Sequence, residues 1–482
     1  MPFRYLILLL LCPPLCLTPS VLAEGLPDLG ESAQASFSAQ EERRLGEEIM
    51  REIRADRSFY DDAEATDYVN AMGNRLVSRG SDSRQAFEFF MIQERSINAF
   101  ALPGGFVGVN TGLLLAAQSE SELASVVAHE VAHVTQRHIA RIIDQQKQST
   151  VMTVAALAIA LLAARSNPEI ASAAIGFGTG AAIQNMLNFT RDHEREADRV
   201  GLQILDAAGY DARASAVFFE RMQRATRIYE IGGAPSYLRT HPLTYERIAD
   251  IQNRLERIPY RQVHDSVDFQ YVRAKLRAEL DPPAEARAFF EQSLGERRFL
   301  SEASSRYGLA ASLVRLKDYP RARKEYDALR RSAAAHPMIE TLGCRIRAAA
   351  GETETALTCY RDALRAFPNH RALTYDYADL LLQARRPAPA LEIIAKRMQF
   401  FGDDPKLYLL QGRAYALEGK QLAQHRATGE AYARLGNVRA AIEQLQIALR
   451  SRDGDFYQLS AIEARLKDLR KIDEAQRKEA KR

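Results

Sequence analysis

Cysteine is scarce in this chain, with four in 482 residues. Cys12 and Cys16 lie near the N-terminus, and the other two, Cys344 and Cys359, have no nearby histidine or third cysteine to complete a thiolate metal site. A charge imbalance is missing as well. The formal net charge is +3, and residues 1–23 contain Arg4 and no acid, so the remainder carries +2, which argues against a nucleic-acid partner. No apolar run is long enough for a convincing membrane span. Leu6 to Leu11 continues to Leu17 but is broken by Pro13 and Pro14, and a span needs about 20 residues. With Arg4 ahead and Val21-Leu22-Ala23 behind, residues 1–23 read as a cleavable export signal. No small residue precedes Cys12 or Cys16, which argues against a lipid anchor. The mature chain is therefore expected to be soluble and exported, in an oxidising compartment where Cys344 and Cys359 can bond. Such a loop would stabilise by about 3 kcal/mol in the chain-entropy model. Two further apolar stretches, Val151 to Ala164 and Ala171 to Ala182, are each about a dozen residues and also too short to span. They read as helices that are buried, cover a cleft or rest on a membrane surface within 151–182. Asn188-Phe189-Thr190 matches a glycosylation pattern, but a bulky sugar does not suit its place beside Glu194.

The chemistry begins at His129-Glu130-Val131-Ala132-His133. At about 3.6 residues per turn the two histidines share one helical face and both imidazoles can reach one metal. Glu130 directly follows the first of them, where its carboxylate can take a proton from a water attacking a carbonyl. Leu123, Val126, Val127, Val131 and Val134 put an apolar residue on nearly every turn without Gly or Pro, as a helix requires. The extended form of this motif, with a glycine and a third histidine further on, is absent: Gln136 and Ile139 hold those positions. His138 would lie about 180° from the ligand face of a continuous helix and reads as a satisfied or solvent-facing histidine.

A carboxylate should then supply the third ligand. In the run Arg191 to Gly201, Glu194 and Asp198 are four apart and share a face, so one can ligate a metal while the other holds the second nitrogen of a ligating imidazole. Asp192 and Glu196 have the same spacing, and periodicity does not choose between the pairs, although Glu196 otherwise reads as a solvated charge. Nearer the N-terminus, Gly105-Phe106-Val107-Gly108-Val109-Asn110 is strand-like and could be either a core strand or the sheet edge on which an extended peptide lies. His241-Pro242 suits a loop residue reaching into a cleft. There His241 could stabilise an oxyanion or take the metal's fourth position.

These motifs, with Ser96-Ile97-Asn98-Ala99-Phe100-Ala101-Leu102-Pro103-Gly104-Gly105-Phe106 ahead of them, resemble the peptidase family of HtpX and the CAAX prenyl proteases, in its soluble periplasmic branch with a tetratricopeptide domain. The resemblance implies one zinc ion held by His129, His133 and Glu194, with Asp198 as the partner of a histidine ligand and Glu130 as the general base. It also implies a His241 loop that works as a switch by occupying the fourth zinc position, and β-strand recognition of substrate.

The length and the 46% apolar content exceed what one core needs. After a linker at 24–37, Ser38-Ala39-Gln40-Glu41 is a capping box opening the first helix, and the protease domain is expected to span 38–258. From 266 to 482 the chain is Ala- and Arg-rich. Ala322, Ala356 and Ala390 recur at the tetratricopeptide period, Tyr326 and Tyr360 follow two of them, and Cys344 and Cys359 fall on the two helices of one unit. Ala286 with Phe290, and Ala441 with Ala448, suggest degenerate units on either side. The expected fold is mainly α: an α+β zincin-like domain with a small sheet, then an α-solenoid whose surface binds protein. The expected function is an exported zinc endopeptidase in quality control. Its substrates would be misfolded or stalled proteins, and by resemblance outer-membrane barrels or their assembly machinery. The rival reading is a chaperone or assembly scaffold with a latent or structural zinc site.

Overall fold

The computed structural model describes residues 37–80, 85–145, 191–228, 237–238, 241–299 and 301–479. The expected export signal, most of the expected linker, the two apolar stretches within 151–182 and Asn188 to Thr190 lie outside the described residues. Among those described, no helix is long and apolar enough to cross a membrane.

Helix α1 (Ala39–Ala55) opens with the expected capping box: Ser38 Oγ accepts from the Glu41 amide and the Glu41 carboxylate accepts from the Ser38 amide. Helix α2 (Ala63–Val77) follows, capped by Asp62, whose side chain accepts from the Ala65 amide. A three-stranded sheet comes next, with β1 (Glu88–Ile92), β2 (Ala99–Leu102) and β3 (Phe106–Asn110) in the order β1-β3-β2. β1 runs parallel to β3, with Phe89 opposite Val107, and β2 runs antiparallel to it, with Ala101 opposite Val107. β3 is therefore the central strand and all five of its residues are buried. The substrate-edge reading of 105–110 is corrected: both sides of β3 are already paired. Phe59 bridges to Ile92 on the outer side of β1, and among the described residues no strand pairs with the outer side of β2.

Helix α3 (Thr111–Ala116) leads into α4 (Glu120–Thr135), which carries the His-Glu-x-x-His motif and is buried from Glu120 to Val134. Helices α5 (His138–Gln145), α6 (Arg191–Ala207), α7 (Arg213–Ile228) and α8 (Tyr245–Leu255) surround it. The zincin-like fold with a small sheet is as expected.

The solenoid is built of paired helices: α9 (Val267–Leu280) with α10 (Pro283–Gly295), α11 (Glu302–Arg315) with α12 (Tyr319–Ser332), α13 (Pro337–Ala349) with α14 (Thr353–Ala366), and α15 (Arg371–Gln383) with α16 (Pro387–Met398). Four more helices, α17 (Pro405–Leu417), α18 (Gln421–Arg434), α19 (Val438–Arg450) and α20 (Phe456–Glu479), complete it. Ala286, Ala322, Ala356 and Ala390 fall on the second helices α10, α12, α14 and α16 and are fully buried, because only a methyl group fits where the paired helices approach. Cys344 on α13 and Cys359 on α14 are disulfide-bonded, with Cα atoms 5.5 Å apart.

The apolar core of the catalytic domain continues into the first repeats, with Tyr68 of α2 packed near Phe269 of α9. Beside that core lies a knot of charge. Lys275 of α9, 1% exposed, has its ammonium 2.5 Å from Asp62 and 2.6 Å from Glu64 at the start of α2. Arg345 of α13 and His370, which caps α15, approach the same Glu64 at 3.9 and 3.7 Å. Arg371 of α15 reaches Asp67 at 2.7 Å, and Lys406 of α17 reaches Asp61 at 3.5 Å. Part of the first-helix face, where solenoids usually take their ligands, is therefore engaged by the chain's own catalytic domain. Burial disfavours the Lys275 charge, but Glu64, Glu279 and Asp62 outweigh it and hold its pKa above the usual lysine value. Removing one partner of such a buried set strands the others. Lys275→Met is expected to destabilise the protein by about 3–5 kcal/mol. Lys396→Met, at an exposed pair with Glu392, should leave the urea midpoint unchanged. Equal midpoints for both variants would refute the assignment.

Candidate metal centre

Two helices and one loop converge on a buried cluster of His129, His133, Glu194 and His241, whose candidate donor atoms all lie within 4.8 Å of one another. α4 supplies His129 and His133 one turn apart, with their Nε2 atoms 3.0 Å from each other. Glu194 comes from α6, with Oε2 3.5 Å from His129 Nε2 and Oε1 3.4 Å from His133 Nε2. His241 adds Nδ1, 3.4 Å from His129 Nε2 and 2.9 Å from Glu194 Oε1. The two helices can approach this closely because Gly201, two turns after Glu194, faces α4: a Cβ there would lie 3.1 Å from the His129 backbone.

The donor set fits a divalent metal. Four ligands at roughly 2.0–2.1 Å in a tetrahedron stand about 3.3 Å from one another; the five separations above, taken to whichever Glu194 oxygen is nearer, run from 2.9 to 3.5 Å, and the whole set lies within 4.8 Å. His129 Nδ1 lies 3.1 Å from Asp198 Oδ1. A proton on Nδ1 then serves Asp198 and leaves the Nε2 lone pair for the cluster. Electrostatics point the same way, toward a site that attracts positive charge. Burial opposes charge on His129, yet Asp198 and Glu194 push its pKa up to about 10. Burial takes His133 well below its usual value. Burial also opposes ionisation of Glu194, but His241, His129 and His133 hold it well below the usual carboxylate range.

Glu130 points into the same space and is fully buried. Its nearest polar neighbours among the described residues are His241 Nε2, 3.4 Å from Oε1, and the Ala101 amide on β2. Burial raises its pKa, only partly offset by His241 and His129. That is the condition of a carboxylate ready to accept a proton.

The structure also separates the two carboxylate pairs that periodicity left equal. Glu194 and Asp198 face α4, while the Asp192 side chain is 90% exposed. Glu196 does not face the cluster. Its side chain is 27% exposed, and it accepts from His138 Nε2 at 3.1 Å and from Arg141 at 2.5 Å, two partners that the reading as a solvated charge did not include. His138 is buried, and it does not lie opposite the ligand face, because the helix breaks at Gln136 and Arg137 before it.

Two residues here were not singled out in the sequence. Arg247 of α8, 4% exposed, forks onto Asp198 with Nε and Nη2 at 2.7 and 2.8 Å, places Nη1 2.7 Å from Glu194 Oε2, and donates to the Pro242 carbonyl at 2.8 Å. Tyr237 lies flat against the His241 ring, with centroids 4.8 Å apart, and its carbonyl accepts from the His241 amide. Arg247 is one of 65 basic residues and nothing in its local pattern sets it apart. The motif residue nearest to a signal is Pro242, five positions earlier.

The comparisons with known proteins agree with this geometry. The profile of peptidase family M48 matches residues 63–255, and a tetratricopeptide-repeat profile matches residues 347–414. The beta-barrel assembly-enhancing protease of Yersinia pestis is 30% identical over 457 residues, covering 94% of this chain and 93% of that one. The chain belongs to peptidase family M48. A putative beta-barrel assembly-enhancing protease of Vibrio cholerae is 38% identical over 327 residues, 67% of this chain and 66% of its own. The mitochondrial metalloendopeptidase OMA1 of Schizosaccharomyces pombe is 32% identical over 220 residues, 44% of this chain and 61% of its own. As an M48 member the protein is a metallopeptidase, and the family implies a metal.

Arg247 compensates two buried carboxylates at once. Arg247→Leu is expected to cost about 3–5 kcal/mol, read as a lower urea midpoint of metal-free protein. Arg247→Lys should recover only part of it, since an ammonium does not reproduce the two-pronged fork. An unchanged midpoint in the leucine variant would show that the carboxylates are compensated elsewhere.

Proposed function

We propose that this M48 chain is a zinc-dependent endopeptidase, exported to the periplasm, that hydrolyses unfolded or stalled proteins. The observation that carries this reading is the buried set of four donors within 4.8 Å of one another, with the Glu130 carboxylate buried beside it. His129, His133 and Glu194 would hold the metal, and zinc is the best match to two imidazoles and a carboxylate. When bound, zinc supplies Lewis acidity toward the scissile carbonyl and toward water. Glu130 takes a proton from the attacking water at its carboxylate and returns it to the leaving amine. Asp198, fixed by Arg247, holds the His129 ring through Nδ1. An extended substrate would pair with the open side of β2, whose Ala101 amide already faces Glu130. The names of the relatives support outer-membrane barrel proteins, or the machinery that assembles them, as the substrate class, with the repeats recruiting them.

The test is degradation of an unfolded model protein by the mature enzyme, with zinc content measured alongside. Glu130→Gln is expected to retain one zinc per chain while losing roughly 10²–10⁴-fold in turnover. Zinc bound by both proteins with neither cutting would defeat the protease reading.

One observation favours the rival, a chaperone or scaffold with a latent site: His241 Nδ1 already stands among the donors and would occupy the fourth position. On the protease reading this is a closed state, and His241→Ala should raise turnover or alter its rate without lowering the unfolding temperature. Turnover identical to wild type would remove His241 from the mechanism.

A further inference from the structure

The two α4 histidines are held from behind in different ways. His129 Nδ1 meets the Asp198 carboxylate directly at 3.1 Å. Behind His133 stands another imidazole: His133 Nδ1 is 2.8 Å from His138 Nδ1. The other nitrogen of His138, Nε2, is 3.1 Å from Glu196 Oε2, which also takes Arg141 Nη2 at 2.5 Å. The His193 ring stacks on His138, with centroids 4.5 Å apart and planes 18° from parallel. His138 is 0% exposed.

The fold goes out of its way to place this ring. α4 ends at Thr135 with Gln136 as its C-cap, and Arg137 takes a positive φ of 51°, a conformation that a non-glycine residue adopts at a cost. That turn is fastened by the Arg137 guanidinium, which donates to the Phe37 carbonyl at 2.8 Å and to Glu42 at 3.2–3.3 Å. A helix running straight on would have carried position 138 to the far side. The break makes His138 the first residue of α5 and turns it under His133. α6 builds the rest, since His193 and Glu196 flank Glu194 in sequence.

The tautomers of this chain of nitrogens are linked. For His133 Nε2 to offer a lone pair to a metal, the ring proton must sit on Nδ1, where His138 Nδ1, 2.8 Å away, can accept it. His138 then carries its own proton on Nε2 and donates it to Glu196. The opposite order would put a proton on His133 Nε2, facing His129 and Glu194, and remove the lone pair. We propose that His138 is a positioning residue that fixes His133 in its metal-binding tautomer through an imidazole-to-carboxylate relay ending on Glu196.

This inference rests on the metal site proposed above, and the experiment separates the two. Zinc affinity is measured by competition with a chromogenic chelator on purified full-length mature protein, wild type beside His138→Leu, His138→Asn, Glu196→Gln and His129→Ala, with circular dichroism of each metal-free form. His138→Leu, which has no acceptor, is expected to bind zinc roughly 10–100-fold more weakly. His138→Asn, whose Oδ1 can accept where Nδ1 did, should stay within a few-fold of wild type on the same scale. Glu196→Gln should weaken affinity in the same direction, and it reads the relay if His138→Leu does not fold. Wild-type affinity in His138→Leu and in Glu196→Gln, or equal losses in the leucine and asparagine variants, would overturn the relay. Zinc bound equally by wild type and His129→Ala would instead overturn the metal site itself.

Discussion

Two carboxylates buried one turn apart on α6, Glu194 and Asp198, set the terms on which the catalytic domain is built. Neither can be left bare in an apolar interior, where an uncompensated charge costs several kcal/mol. The surrounding elements answer that demand from separate directions. α4 brings His129 and His133, the loop before α8 brings His241, and α8 brings the Arg247 fork, tied back to the His241 loop through the Pro242 carbonyl. The approach of α6 to α4 over Gly201 makes the distances short enough. The same charge pattern then defines the chemistry. Arg247 holds Asp198 with a fork and touches Glu194 with its remaining nitrogen, Glu194 is turned toward the imidazoles, and the Glu130 carboxylate stays buried beside them.

What was legible in the sequence was whatever helical periodicity alone dictates. His129 and His133 share a face at any location in any fold, and so do Glu194 and Asp198. The tetratricopeptide alanines were legible for a similar reason, because a solenoid is nearly one-dimensional and its period survives in the chain. What periodicity does not contain was lost. Asp192 and Glu196 match the spacing of Glu194 and Asp198, and only the packing of α6 against α4 tells the pairs apart. The strand Phe106–Asn110 shows the same composition whether it is central or at an edge, and its two paired neighbours decide that. His138 was misplaced because a continuous helix was assumed through Arg137, where the backbone turns left-handed. Arg247 acquires its role only through contacts with residues about 50 positions away.

The two halves of the chain share more than a linker. The start of α2 is gripped by basic groups from the first helices of the solenoid, with Lys275 buried between Asp62 and Glu64. Further along α2, Asn70 holds β1 by bonds to both the amide and the carbonyl of Phe89. β1 pairs with β3, and β3 with β2, the strand that faces Glu130. A contiguous set of packed and hydrogen-bonded elements therefore joins the repeats to the open side of the sheet. Coupling along it would require a two-state element that both ends bias. In that series the ionic grip on α2 is the contact whose strength depends on charge.

On the proposed ligand set, metal binding and folding share one free energy. Lone pairs of His129, His133 and His241 and the Glu194 carboxylate face one another in a volume closed to water, and acceptors so arranged repel unless a proton or a metal lies between them. The raised pKa of His129 is the proton's version of that demand. A divalent ion meets it more fully, because it joins α4, α6 and the His241 loop at once, and its binding energy adds to the stability of the elements that it ties together. α4 is buried along almost its whole length, and among the described residues Tyr237 and a bond from Arg247 meet the His241 loop, so the ion would join a helix held by burial to a loop at its side.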